Sequence, residues 1–256
     1  MSPVFLTIAG SDCSAGAGLQ ADLKTGCALG CYPLTVATCV VSEAPGRVEG
    51  IVPMPPDFVL SQLRVCLGAF PVAAVKTGML YCAETVRAVA KELPPGMPLV
   101  VDPVMVATAG AGLMQADTLA AYEEALFPRA TLVTPNRDEL QALTQCADIQ
   151  SISDLEAAAL CLAARLGCAV FAKGGHLPGD ECVDILAQPG GGTRLWSHAR
   201  TPGIPTHGTG CTLSAAVAAG LARGLCLESA VDAAIAYTAR AIAASHLWGG
   251  THALRH

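Results

Sequence analysis

The sequence is poor in charge and in aromatic rings. Only 14% of its 256 residues are charged and 4% are Phe, Trp or Tyr. Lys+Arg is 15 against 21 Asp+Glu, and no basic run occurs. Proteins that track nucleic-acid phosphates need clustered Lys and Arg, so this composition argues against that class. No apolar run reaches the ~20 residues of a membrane span. The first residues, MSPVFLTIAG, lack the charged n-region and the cleavage site of a signal peptide. There is no CxxC pair and no Cys/His cluster with zinc spacing. No composition shift marks a linker, so 1–256 reads as one domain.

What is abundant is apolar surface. Hydrophobic residues make up 52% of the chain, which excludes intrinsic disorder. Twelve cysteines are spread along it: Cys13, Cys27, Cys31, Cys39, Cys66, Cys82, Cys146, Cys161, Cys168, Cys182, Cys211 and Cys226. They are expected to be mostly small buried hydrophobes in a reducing cytoplasm.

Strand and helix patterns alternate. Val4–Ala9 reads as a buried strand, and the small-residue stretch GSDCSAGAG follows. Leu19–Leu29 has helical spacing, with Leu19, Leu23 and Cys27 on one stripe, and stops at Gly30. Leu34–Val41 is β-branched and reads as a strand. Asp57 can cap a helix over Phe58–Gly68. Strands are expected at Val72–Val75, Leu99–Val101, Thr131–Val133 and Cys168–Ala172. Between them lie helices at Glu84–Leu93, Ala116–Leu126, Asp138–Leu143 and Ser153–Leu166, the last capped by Ser153 and stopped by Gly167. Val183–Leu186 and Thr193–Ser197 read as a hairpin around Pro189–Gly192. Two Ala-rich helices follow, Thr212–Leu221 and Ser229–Ala244. Such alternation implies a mostly parallel sheet covered on both faces. The short segments of 31–52 suggest a small feature at one edge.

In sheets of this kind ligands lie beyond the carboxyl ends of the strands. Charge concentrates there: Ser11-Asp12, Glu43, Lys76-Thr77, Asp102, Asn136, Lys173 and the loop Pro205–Cys211. The strongest signal is Thr206-His207-Gly208-Thr209-Gly210-Cys211, which opens an apolar helix. Small residues at a helix start let backbone N–H groups converge on an anion, and the helix dipole favours it. The same potential is expected to lower the Cys211 thiol pKa. GSDCSAGAG allows close backbone approach, but it lacks both the Walker lysine and the dinucleotide GxGxxG order. Asp22 reads either as a ligand to a hydroxyl or as a solvated helix-start carboxylate. Asp102 with Asn136-x-x-Glu139 suits a water-rich Mg²⁺ site, and Asn136 with Glu139 equally suits a capping box. Lys173 can place a point charge on a polyphosphate; Lys76 can do so too, or can pair with a carboxylate.

Taken together, TIAGSDCSAGAGLQADLKT, KTGM at 76–79, DPVM at 102–105, TPN with Glu at 134–139, AKGGH at 172–176 and HGTGCTLSAA at 207–216 resemble the hydroxymethylpyrimidine/phosphomethylpyrimidine kinase family of thiamine synthesis, within the ribokinase superfamily. The segments occur in the family's order and span nearly the whole chain. The resemblance implies a ribokinase-like three-layer α/β/α sandwich with a small edge or lid feature. It implies transfer of phosphate from ATP to the hydroxymethyl oxygen of an aminopyrimidine, then a second phosphate onto the monophosphate. By position Gly208, Thr209, Gly210 and Cys211 look like the catalytic anion hole and base, and Asp102 and Glu139 like the Mg²⁺ network. Lys173, Asn136 and Thr206 look like ATP contacts; Gly10, Asp22, Glu43, Met79 and Val106 look like the substrate pocket. A homodimer is implied as well. One departure is visible: the family usually carries Gln where this chain has Glu43. An ionised Glu offers only acceptors, whereas Gln offers a donor as well. Kinases for a related ring alcohol such as pyridoxal, and a non-catalytic binder of a thiamine precursor, are the competing readings.

Overall fold

The computed structural model describes residues 2–105, 116–146, 148–175, 177, 181–199, 207–248 and 251–256. Alternation of buried strands and helices produces the expected layered architecture. The strands are β1 (Val4–Asp12), β2 (Tyr32–Ala44), β3 (Arg47–Pro53), β4 (Val72–Thr77), β5 (Leu99–Val101), β6 (Leu132–Val133), β7 (Ala169–Ala172), β8 (Glu181–Ala187), β9 (Thr193–Ala199), β10 (His246–Trp248) and β11 (Thr251–Ala253). The helices are α1 (Gly18–Ala28), α2 (Pro56–Ala69), α3 (Ala83–Glu92), α4 (Ala116–Ala121), α5 (Arg137–Thr144), α6 (Ile152–Leu166), α7 (Thr209–Ala222) and α8 (Leu227–Ala243).

Among the described residues, nine strands form one sheet in the order β3-β2-β1-β4-β5-β6-β7-β8-β9. The pairs from β2 through β7 are parallel, and β3, β8 and β9 join antiparallel at the two edges. The expected edge feature of 31–52 is the β2–β3 hairpin. Alternation along each strand divides the core. Leu6, Ile8, Val101, Val133 and Val170 face one layer with α2, α3, α5 and α6. Phe5, Val100, Leu132 and Phe171 face the other, with α7 and α8. The chain runs from β1 to β2 on one side and to β4 on the other, so the strand order reverses beside β1. That reversal opens a crevice at the carboxyl ends.

Several local expectations are corrected. On α1, Leu19 is buried but Leu23 and Cys27 are exposed. Its buried face carries Leu19, Ala21, Asp22, Thr25 and Gly26, because α1 packs closely on α7 through small residues. Asp57 lies inside the first turn of α2, with Pro55 at the cap and Pro56 as the first helical residue, where its missing N–H costs nothing. The Ala116–Leu126 helix ends early: α4 passes into a π-turn at Tyr122–Leu126 and a 3-10 turn at Phe127–Arg129. The buried Tyr122 hydroxyl there donates to Gly78 O at 3.1 Å. The β10–β11 hairpin was not foreseen. Only Cys31, Cys39, Cys168 and Cys182 of the twelve thiols are buried, and five are exposed, so the expectation that most are core residues fails. All twelve are free.

The cap of α6 is Ser151 and not Ser153. Ser151 Oγ accepts from Asp154 N at 3.1 Å, and the Asp154 carboxylate accepts from Ser151 N at 3.0 Å. Ser151→Ala should therefore lower unfolding stability by about 1 kcal/mol, read as a shifted urea midpoint. Ser153→Ala should leave that midpoint in place.

Candidate active site

Asp12, at the end of β1, organises the loop that follows it. Its Oδ1 accepts from Ser14 N at 2.7 Å; its Oδ2 accepts from Gly16 N at 3.0 Å and Ala17 N at 2.7 Å. The chain turns tightly around one carboxylate, as Asp followed by a small polar residue favours. His207 Nε2 lies 3.3 Å from the same Oδ2. Burial pushes the Asp12 carboxyl up, but His207, Ser14 and Ala17 outweigh it and hold it below the usual carboxylate range. An ionised Asp12 can only accept, so His207 Nε2 carries the proton in this contact. Sequence reading noted Asp12 as a strand-end group without giving it a role; its Asp-x-Ser spacing was the available signal.

The loop so held packs against the start of α7. Gly208 has φ +81°, and a Cβ there would fall 1.8 Å from Gly16 O. Only glycine meets both conditions. The first intrahelical bond of α7 runs from Thr212 N to Gly208 O, so the amides of Thr209, Gly210 and Cys211 precede the ladder. Thr209 Oγ1 is buried without a hydrogen-bond partner. These donors open on a cavity of about 590 Å³ lined by residues of both sheet halves.

Lys173, Asp102 and Glu139 stand beside that helix start. Lys173 Nζ donates to Asp102 Oδ1 at 3.1 Å, and a Cβ on Gly210 would lie 3.1 Å from the same Nζ. Asn136 and Glu139 form the reciprocal capping box: Glu139 N donates to Asn136 Oδ1 at 2.9 Å and Asn136 N to Glu139 Oε2 at 2.8 Å. The cap does not withdraw Glu139 from the cavity, whose wall it shares with Asp102 and Asn136. Burial pushes the Glu139 carboxyl up to about 7; Lys173 opposes this and Asp102 adds to it. The Asp102 and Glu139 carboxylates, both on this cavity wall, are hard-oxygen donors of the kind that fit a divalent cation.

Cys211 lines the cavity with its thiol accepting from Gly18 N–H. The expected lowering of its pKa is not found. Burial pushes the thiol up to about 11; Lys76 and the Gly18 amide pull it down by less, and Asp22 and Asp102 add to the rise. Asp22 is also placed differently from expectation. It is fully buried and does not line the cavity. Its Oδ2 accepts from Lys76 Nζ at 2.8 Å and Thr7 Oγ1 at 2.5 Å. Lys76, the residue read as either a phosphate contact or a carboxylate partner, therefore takes the second role. Gly10, Glu43 and Met79 all reach the cavity wall. A Cβ on Gly10 would meet Cys39 Sγ at 2.8 Å and Met79 Cε at 2.9 Å. Val106 and Thr206 lie outside the described residues.

The chain is similar over nearly its whole length to known kinases. A family model described as phosphomethylpyrimidine kinase matches residues 12–254. A hydroxymethylpyrimidine/phosphomethylpyrimidine kinase of Streptomyces coelicolor is 43% identical, over 97% of this chain and 91% of its own length. A putative kinase of the same name from Schizosaccharomyces pombe is 42% identical over 94% of this chain, which spans only 47% of that longer protein. Among solved structures, pyridoxal kinase from Staphylococcus aureus in complex with AMP-PCP and pyridoxal superposes with a TM-score of 0.90 at 33% identity, covering 100% of this chain and 94% of the other.

The raised Glu139 carboxyl has a consequence for stability. Its folded pKa exceeds its unfolded one, so the folded state holds the extra proton between about pH 4.5 and 7. Stability from this group is then lost as pH rises through that window. Glu139→Gln keeps a side chain able to complete the capping box and removes the titration. Urea midpoints between pH 5 and 8 should fall for the parent relative to Glu139→Gln. Parallel curves would mean that Glu139 ionises normally.

Proposed function

The chain belongs to the phosphomethylpyrimidine kinase family, whose members are ATP-dependent phosphotransferases of thiamine synthesis, and from that premise we propose how its cavity works. The reaction is transfer of the γ-phosphoryl group of ATP to the hydroxymethyl oxygen of 4-amino-5-hydroxymethyl-2-methylpyrimidine, followed by a second transfer onto the monophosphate. The observation that carries this reading is the start of α7. Its left-handed Gly208, free first-turn amides and unpartnered Thr209 hydroxyl stand between Lys173 and Cys211 on one cavity wall.

The acceptor ring occupies the end lined by Gly10, Val41, Glu43 and Met79. Its hydroxymethyl group points to Cys211. Cys211, once its raised thiol has lost its proton to solvent, takes the hydroxyl proton as that oxygen bonds to the γ-phosphorus, while the bond to the β-γ bridging oxygen breaks and ADP leaves. The amides of Thr209, Gly210 and Cys211, with Lys173, neutralise charge on the transferred group. Phosphoryl transfer depends more on such positioning than on covalent help. Mg²⁺ held by Asp102 and Glu139 would supply charge neutralisation on the triphosphate. Asn136 contributes by capping α5 and so fixing Glu139. The whole described chain acts in this reading as one kinase domain, working as a cytoplasmic homodimer. Val52 of β3 and Phe58 and Val65 of α2 are exposed apolar side chains available to such an interface.

Pyridoxal is the second acceptor to test, because the S. aureus neighbour binds it on the same fold. ADP release should be measured with the hydroxymethylpyrimidine, its monophosphate and pyridoxal. Turnover confined to pyridoxal would overturn the pyrimidine reading, and no turnover with any would favour a binder. Cys211→Ala should lower kcat with the pyrimidine by about 10²–10⁴-fold while the circular dichroism spectrum is retained. Near-parent turnover would leave the helix start as the sole catalytic element of this loop.

A further inference from the structure

β8 carries a carboxylate where its burial calls for an apolar side chain. Its residues Cys182 to Ala187 are all buried, and Asp184 among them is 8% exposed. A carboxylate in such a place is costly unless hydrogen bonds compensate it. Asp184 Oδ1 accepts from Gly174 N at 2.9 Å, and the contact is buried. Gly174 directly follows Lys173, the cation of the phosphoryl-transfer reading.

The end of the β7–β8 ladder accounts for this placement. The strands pair through Val170↔Ala187, Phe171↔Leu186 and Ala172↔Ile185, and the pairing stops there. One more step of the same register would set Lys173 opposite Asp184. The chain turns toward β6 instead: Lys173 N donates to Pro135 O at 3.0 Å, and Lys173 bridges Asn136 in parallel register. The next amide, Gly174 N, returns to β8 and meets a side chain in place of a backbone carbonyl. The approach is close, since a Cβ on Gly174 would fall 1.9 Å from Val183 O. Gly174 O then accepts from Leu177 N at 2.9 Å. The amides on either side of the Lys173 Cα are therefore tied in opposite directions across the sheet. From that anchored point Lys173 Nζ reaches Asp102 Oδ1 at 3.1 Å, and Lys173 lines the cavity.

We propose that Asp184 is a positioning residue for phosphoryl transfer: by holding the Gly174 amide it fixes the backbone from which Lys173 meets the triphosphate. The proposal rests on the reading of Lys173 as a contact to ATP. Asp184 does not line the cavity, so it acts through the lysine. An apolar residue at 184 would leave Gly174 N buried without this acceptor. The amide could find another partner only if the turn bearing Lys173 moved. Misplacing a charge-stabilising group by about 1 Å can cost about 10²-fold in rate.

The test is steady-state ADP release with the hydroxymethylpyrimidine, varying ATP and acceptor in turn. It compares Asp184→Ala, Asp184→Glu and Asp184→Asn, each with and without Lys173→Ala. Asp184→Asn keeps an oxygen for Gly174 N and should hold kcat/KM for ATP within about threefold of the parent. Asp184→Ala removes the acceptor, and Asp184→Glu keeps the charge but shifts it by one methylene. Each should lower kcat/KM for ATP by about 10–100-fold, with the pyrimidine KM little changed. In the Lys173→Ala background the same substitutions should cost about twofold or less, because the group they misplace is gone. Titration calorimetry with AMP-PCP needs no acceptor and should rank the variants in the same order, which frees the outcome from the pyrimidine assignment. Circular dichroism reports folding, and Glu against Asn carries the comparison if Asp184→Ala does not fold. Equal losses with and without the lysine, or parent-like ATP kinetics in the Ala and Glu variants, would overturn the proposal and leave Lys173 its role. Parent-like ATP kinetics in Lys173→Ala alone would overturn the reading of Lys173 and the proposal with it.

Discussion

Charge taken out of water has to be paired, and the active site of this chain is built from that requirement. A protein with so few ionisable side chains places two lysines and two aspartates at the carboxyl ends of neighbouring parallel strands and on the helix behind them. Lys76 meets Asp22 with no exposure on either side, and Lys173 meets Asp102 with almost none on the aspartate. An isolated ammonium or carboxylate in such surroundings would cost several kcal/mol. The partners are remote in sequence, so the pairs exist only when the sheet has formed in its observed order. Folding and assembly of this side of the cavity are thus one event.

The loops after β1 and before α7 are held by a different arrangement of polar groups. Asp12 satisfies backbone amides of its own loop and contacts His207, which precedes the Gly208 cap of α7. One carboxylate therefore couples the loop after β1 to the loop before α7. The contact is close enough to exclude side chains: Gly208 and Gly18 both take positive φ, and a Cβ on Gly18 would fall 2.3 Å from Gly10 O. Tyr122 secures the Gly78 carbonyl from the opposite layer. The cavity wall is consequently held from both faces of the sheet rather than suspended on free loops.

Much of this was legible in the sequence because strand periodicity and strand-end polarity are local signals. β5 lies where its apolar run placed it, and the charges after β1, β4, β5 and β7 do converge. What escaped reading is what depends on neighbours. Leu23 looks like core on a helical wheel, but α1 meets α7 through small residues and turns Leu23 outward. The helical pattern points to Ser153 as the cap of α6, whereas Ser151 forms the reciprocal box with Asp154. Cys211 occupies a helix start, which alone would favour its thiolate. The depth of the site, invisible in sequence, reverses the sign. Asp22 sits in a stretch whose pattern suggests ligand contact, and only the fully buried Lys76 reveals why the carboxylate points inward. Asn136 and Glu139 were read as either a cap or a metal network; the cap is formed, and Glu139 still faces the cavity.

Glu43 shows how an unusual residue is accommodated at the ring end. It lines the cavity beside Met79, half-buried, with Asp12 close by. Burial and the ionised Asp12 both raise its carboxyl, and His207 opposes them. A carboxylate in that place would offer acceptors alone. Raising it moves the group toward the neutral acid, which presents one donor and one acceptor side by side. That is the hydrogen-bonding face that an aminopyrimidine edge complements, with its amine donating and its bare ring nitrogen accepting. In the proposed reading the ring meets that face at Glu43, on the same cavity that Cys211 lines.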